Sequence, residues 1–170
     1  MSGRKLIATR DALSEVVARL RRAGKRIAFS NGCFEILHVG HLRSLQDARR
    51  HGDCLIVAVN SDDSVRRYKG RQEPIVPEQE RAEILAGLAC VDFVYIFDEP
   101  TVDGLLELVR PDAYCKGPEY TMDNLPERET LKRVGGTLVQ VGDPKDHSTS
   151  DLLSRIAGRG TPRAGVGATS

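Results

Sequence analysis

Short apolar runs alternate with amphipathic stretches along this chain. The pattern predicts an α/β fold: a doubly wound sheet of five mainly parallel strands with helices on both faces. Three observations carry the prediction. Residues 53–60 form a near-continuous apolar run rich in β-branched side chains, as expected of a strand buried on both faces. An apolar run at 26–30 and an amphipathic stretch at about 39–51 precede it, which makes a strand–helix–strand unit and hence a parallel sheet. The same alternation then continues to about residue 156 with no internal repeat.

Taken in order, residues 1–10 read as a polar lead-in. Asp11 to about residue 23 reads as a helix, because Leu13, Val16, Val17 and Leu20 fall at i, i+3, i+4 and i+7, with Gly24 as the stop. The first strand (26–30) and the helix at 39–51 follow, and Gly52 ends the latter. After the second strand, residues 64–77 carry Arg66, Arg67, Lys69 and Arg71 and read as a basic loop. Pro77 opens a helix to Ala89, with Glu78 and Glu80 in its first turn. Strands at 92–97, 112–115 and 137–141 alternate with helices at 101–109 and 122–134. A last helix is expected from Ser148 to about Ile156, and the Gly-, Ala- and Thr-rich stretch 158–170 is expected to be a disordered tail. Residues 1–157 are thus expected to be one domain of Rossmann type.

The chain has 170 residues, with 25 basic against 24 acidic, a net charge of +1. That balance argues against nucleic acid as a partner. No apolar run reaches membrane-spanning length and the N-terminus lacks a signal-peptide core, so a cytoplasmic protein without a membrane partner is expected. The cysteines at 33, 54, 90 and 115 form no C-x-x-C pair and do not read as a disulfide framework.

The most informative stretch is the turn between the first strand and its helix, Ser30 to His41. A helix start leaves backbone N–H groups unpaired and attracts anions. On a helical first turn His38 and His41 share one face, so their ring N–H groups could converge on the same phosphate oxygens. Gly32 and Gly40 leave room for close approach. Alternatively, the two histidines are caps or surface residues, or join Cys33 in a zinc site that lacks an evident fourth ligand. Three further stations would return to the same sheet edge. Lys69 in the basic loop could neutralise phosphates. Lys116-Gly117 follows the fourth strand, where Gly117 permits close approach and Lys116 could hold a phosphate. Ser148-Thr149 at a helix start could cap the helix or bind phosphate. Arg81 could point to that edge, or pair with Glu78 or Glu80 at the surface.

The string Gly32-Cys33-Phe34-Glu35-Ile36-Leu37-His38-Val39-Gly40-His41 resembles the G-x-F-D-x-x-H-x-G-H pattern of the nucleotidyltransferase superfamily that includes the cytidylyltransferases, with Glu35 in place of Asp. Asn31-Gly32-Cys33-Phe34, Lys69-Gly70, Glu80-Arg81, Lys116-Gly117 with Tyr120, Gly135-Gly136 and Ser148-Thr149 occur in one order. Together they resemble the adenylyltransferase domain of bacterial ADP-heptose synthesis. The resemblance implies transfer of AMP from ATP to D-glycero-D-manno-heptose 1-phosphate, with Mg²⁺ held mainly by the nucleotide phosphates. It assigns His38, His41 and Lys69 to catalysis. It assigns Asn31, Gly32, Cys33, Phe34, Gly40, Arg81, Lys116, Gly117, Ser148 and Thr149 to binding the nucleotide. It also implies a homodimer or higher homo-oligomer. A cytidylyltransferase or adenylyltransferase for another small phosphate ester, such as glycerol 3-phosphate, and a non-catalytic nucleotide sensor are the alternatives. Pro118-Glu119 and Asp146-His147 depart from the family pattern.

Overall fold

The computed structural model describes residues 5–69 and 74–142, with the backbone alone at Tyr68 and Lys69. In chain order the elements are β1 (Leu6–Ile7), α1 (Arg10–Arg22), β2 (Ile27–Gly32), α2 (Val39–Arg50), β3 (Cys54–Asn60), α3 (Asp62–Lys69) and α4 (Glu78–Gly87). These are followed by β4 (Phe93–Phe97), α5 (Asp103–Val109), β5 (Ala113–Lys116), α6 (Arg128–Val134) and β6 (Thr137–Gln140). The strands form one parallel sheet in the order β1-β4-β3-β2-β5-β6.

The period of two along β3 divides the core into two layers. Cys54, Ile56 and Ala58 face one side, against Leu13 and Val17 of α1, Leu105 and Leu106 of α5 and Leu131 of α6. Leu55, Val57 and Val59 face the other, against Leu45 and Ala48 of α2 and Ala82 and Leu85 of α4. Residues 55–59 are fully buried. Each of the large aliphatic side chains among them contributes about 1.5–3 kcal/mol by leaving water. This is the doubly wound α/β fold expected from the alternation.

The amino and carboxyl ends of the strands are built differently. At the amino end, aspartates close the strand starts: Asp53 accepts from Arg26 N–H at 2.8 Å, Asp92 from Leu55 N–H at 2.8 Å, and Asp112 from Ile27 N–H at 2.7 Å. The carboxyl end is left to loops and helix starts. Strand order runs outward from β2 in both directions, through β3 and β4 on one side and β5 and β6 on the other. The β2/β5 boundary is therefore the switch point at which a doubly wound sheet opens a crevice.

Three expectations need correction. The sheet has six strands, because β1 lies within the stretch read as a polar lead-in; its two residues pair with Val94 and Tyr95 and are too few to carry a periodic signal. Residues 62–69 are helical, so the first six residues of the stretch read as a basic loop at 64–77 belong to a helix. Ser61 Oγ accepts from Ser64 N–H at 2.9 Å, Asp62 and Asp63 occupy the first turn, and Val65 is fully buried. The helix expected at 122–134 is confined to 128–134, since Pro126 has no N–H to donate and Glu127 takes the cap position. The helix expected from Ser148 and the tail lie outside the described residues.

Candidate active site

A cleft of about 610 Å³ opens at the switch point. Asn31 and Gly32 at the end of β2, His38 and His41 at the start of α2, and Lys116 and Gly117 at the end of β5 all line it. The sequence places them there because each lies at, or just after, the carboxyl end of a strand.

The histidines build the start of α2. His38 is the N-cap, with extended backbone, and its Nδ1 accepts from Gly40 N–H at 3.1 Å. His41, three residues on, accepts the His38 N–H on its own Nδ1 at 3.4 Å. This is a reciprocal capping box made from two imidazoles. Its chemical consequence is tautomeric: a neutral imidazole that accepts at Nδ1 carries its proton on Nε2. Both rings therefore hold an Nε2–H donor on the side away from the backbone. The rings lie 3.9 Å apart, centroid to centroid, at 34°. Capping and ligand binding, alternatives in the sequence, are thus compatible, since the cap uses one nitrogen of each ring.

Phe34 fixes the second ring. It has a left-handed backbone (φ 48°), is buried, and packs on His41 at 5.4 Å. Gly32 suits the same packing, because a Cβ there would lie 3.3 Å from the Phe34 ring and press on it. Cys33 lines the cleft, with Sγ 3.9 Å from Asn60 Oδ1. Glu35 is 2 % exposed and accepts from Ile75 N–H at 3.3 Å, so it braces the turn from outside the residues lining the cleft.

Arg81 is buried beneath this turn. Nε donates to the Val76 carbonyl at 2.9 Å, Nη1 to the carbonyls of Cys33 and of Asn60, the latter at 2.8 Å, and Nη2 to Asp62 at 2.6 Å. One guanidinium thus holds together the turn after β2, the end of β3, the start of α3 and the entry to α4. Its partner is neither Glu78 nor Glu80, and it is not among the residues lining the cleft.

Across the cleft, Lys116 Nζ lies 3.4 Å from Glu127 Oε1 and 3.4 Å from Asn31 Oδ1, over the Tyr120 ring at 4.6 Å. Tyr114, fully buried, places its hydroxyl against Glu127 Oε1 and, at 2.7 Å, against Asn31 Oδ1. Burial, then the Glu127 charge, pushes the Tyr114 hydroxyl far up, so it remains protonated as a donor.

The sequence pattern of the cytidylyltransferase-like family matches residues 29–153, well over half of the chain. The chain belongs to the cytidylyltransferase-like family. Relatives named bifunctional protein HldE are similar to it. That of Geobacter sulfurreducens is 43 % identical over 146 residues, covering 86 % of this chain and 30 % of the relative. That of Koribacter versatilis is 47 % identical over 149 residues, covering 88 % and 31 %. The chain therefore spans about three tenths of the length of the curated relatives it matches. A crystal structure of a lipopolysaccharide core biosynthesis protein from Thermoplasma volcanium superposes with a TM-score of 0.61 at 27 % identity, covering 72 % of this chain and all of that one.

Of the residues assigned by resemblance to this cytidylyltransferase-like site, Asn31, Gly32, Cys33, Phe34, His38, Gly40, His41, Lys116 and Gly117 line one cleft. Arg81 does not. The Lys69 side chain, Ser148 and Thr149 lie outside the described residues. Among the described residues no three His, Cys, Asp or Glu side chains form a metal-holding group, so Cys33, His38 and His41 do not make the zinc site considered above. Glu127 of the cleft and the buried Tyr114 that holds it escaped the sequence reading. A tyrosine inside a buried strand needs a partner for its hydroxyl, and that requirement was the available signal for Glu127.

Proposed function

We propose that this nucleotidyltransferase domain moves AMP from ATP to D-glycero-D-manno-heptose 1-phosphate, giving ADP-heptose and pyrophosphate. The observation that carries the reaction type is the imidazole capping box, which holds two Nε2–H donors at a helix start beside the cleft. Its proton placement suits a polyphosphate, since both rings donate without first having to charge. The heptose acceptor is supported by the relatives' likeness and by the ordered motifs of the chain.

An oxygen of the sugar phosphate attacks the α-phosphorus in line. A new P–O–P link forms as the bond from the α-phosphorus to the bridging oxygen of the β-phosphate breaks, and the electron pair leaves with pyrophosphate. A phosphate monoester dianion is already nucleophilic, so the protein's contribution is positioning and stabilisation of charge. His38 and His41 donate to oxygens whose charge grows in the transition state. The start of α2 adds its partial positive charge. Lys69 is assigned to the phosphates, and Ser148 and Thr149 to the β- and γ-phosphates. Gly32 and Phe34 shape the nucleotide pocket. Mg²⁺, held mainly by the phosphates, supplies further charge neutralisation. Residues 1–157 act as one domain, in a homodimer or higher homo-oligomer.

A second reading, CMP transfer to a small phosphate ester such as glycerol 3-phosphate, is favoured by the family description. Pyrophosphate release from ATP, CTP, GTP and UTP against heptose 1-phosphate and glycerol 3-phosphate separates the two. Release with ATP and heptose 1-phosphate alone is expected. Release with CTP and glycerol 3-phosphate would move the assignment to the second reading, and nucleotide binding without release from any pair would favour a sensor.

A further inference from the structure

Glu127 is an unusual residue to find in a phosphate-handling cleft. It is 7 % exposed, it lines the cleft, and it carries a carboxylate where the ligand is expected to be anionic. It is not a helix cap in the side-chain sense. It occupies the N-cap position of α6, yet its carboxylate makes no capping hydrogen bond and turns to Tyr114 and Lys116 instead.

Its two oxygens are used unequally. Oε1 receives the Tyr114 hydroxyl and faces the Lys116 ammonium at 3.4 Å. Among the described residues nothing donates to Oε2. Asn31 is used in the same one-sided way: Oδ1 faces Tyr114 and Lys116, and among the described residues nothing accepts from Nδ2. A buried carboxylate oxygen without a donor costs free energy until a ligand supplies one. The charge balance narrows the ligand. Lys116 and Glu127 neutralise each other, so among the described residues this pair offers a phosphate no net positive charge, and a phosphate oxygen beside Oε2 would be repelled. A carboxylate acceptor and an amide donor left over on two side chains that share Tyr114 and Lys116 instead match a hydroxyl, which donates to one and accepts from the other.

We propose that Glu127 and Asn31 form a hydroxyl-reading subsite, with Tyr114 and Lys116 holding them in place, that binds a hydroxyl of a polyol ligand. Two sources share that chemistry: the ring hydroxyls of an acceptor sugar phosphate and the ribose of the nucleotide. The acceptor arm rests on the transfer reading given above; the binding measurement itself does not require turnover.

The test is calorimetric titration of the wild type and Glu127→Gln with two series of probes. One is ATP, 2′-deoxy-ATP and 3′-deoxy-ATP. The other is D-mannose 1-phosphate and its monodeoxy analogues, titrated in the presence of a non-hydrolysable ATP analogue. Glutamine keeps an oxygen for Tyr114 and Lys116 but replaces Oε2 by an N–H₂ donor, so the support is retained while the acceptor is lost. Thermal denaturation checks that the variant is folded. Glu127→Gln is expected to weaken one series by about tenfold or more, as loss of a hydrogen bond to a charged group does. Within that series, one deoxy analogue should lose as much on the wild type and nothing further on the variant, which names the hydroxyl. Loss in the sugar series assigns the subsite to the acceptor, and loss in the ATP series assigns it to the ribose. Equal affinities of variant and wild type for both series, or losses that add for every hydroxyl, would overturn the proposal. ATP binding with no sugar phosphate binding would count against the acceptor reading alone, and the ribose series would still decide on Glu127.

Discussion

Replacing Arg81 by methionine removes one side chain from four partners at once. The carbonyls of Cys33, Asn60 and Val76 lose their donor, and Asp62 loses its cation. Arg81 is fully shielded from solvent, whereas the Asp62 side chain retains 24 % exposure, so water takes over part of what the carboxylate loses. An unsatisfied buried polar group costs about 1–3 kcal/mol. With water reaching some of these groups, the sum lies near the 3–5 kcal/mol typical of breaking a buried ion pair. Against a total stability of about 5–15 kcal/mol, that is a severe loss. In urea, with a slope of about 2 kcal/mol per molar, the midpoint should fall by about 2 M. Arg81→Lys should recover part of this, since an ammonium can reach Asp62 but cannot serve three carbonyls in fixed directions. ATP affinity, measured where each variant is still folded, should follow the loosening of the turn and not the loss of a cation. Arg81→Met within about 1 kcal/mol of wild type, with ATP binding abolished, would refute the clamp and restore Arg81 as a phosphate ligand.

The capping box makes a related pair of predictions. His38→Asn keeps a good N-cap while removing the Nε2–H donor, so stability should stay within about 0.5 kcal/mol while turnover falls on the order of 10²-fold. His38→Ala should lose the cap as well, about 1 kcal/mol by denaturation. Asp112 predicts acid sensitivity. Burial alone would raise its carboxyl, but the Ile27 N–H and the Arg21 and Arg26 charges outweigh this and hold it below the ordinary carboxylate range. Its contribution is therefore present above that range and is lost as pH falls through the depressed folded value. Asp112→Asn should flatten the fall of the urea midpoint below about pH 4. Cys54 and Cys115 are each pushed up to about 12, mainly by burial. Iodoacetamide at pH 8 should leave both unmodified in the folded protein and label both in urea, as peptide mass spectrometry would read.

The sheet was legible in the sequence wherever apolar runs had length. The run at 53–60 could be read as a doubly buried strand because each of its faces meets a helix layer. β1 was not legible, since two residues cannot display a period. α3 was obscured by its charge: Val65 is the one fully buried apolar side chain among its described residues, and its start is set by Ser61, whose capping role is a property of geometry. The turn at 30–41 was legible because the whole string, a strand, a glycine turn and two histidines opening a helix, narrows the alternatives that the histidines alone leave open. The opposite wall of the cleft was not. Glu127 reads as one more surface acid until the fold brings it to the hydroxyl of Tyr114, thirteen positions earlier in the chain. Arg81 shows the converse. A cation near the active edge suggests a phosphate ligand, and only the carbonyls around it reveal a structural clamp.

Phosphorus-31 NMR of the protein with ATP, Mg²⁺ and D-glycero-D-manno-heptose 1-phosphate tests nucleotidyl transfer by the histidine pair most directly. Two coupled resonances of a sugar–nucleotide diphosphate should grow in step with free pyrophosphate, and His41→Ala should suppress both by on the order of 10²-fold or more. ATP that binds while the spectrum stays unchanged, or a His41→Ala variant that forms product as fast as wild type, would contradict it.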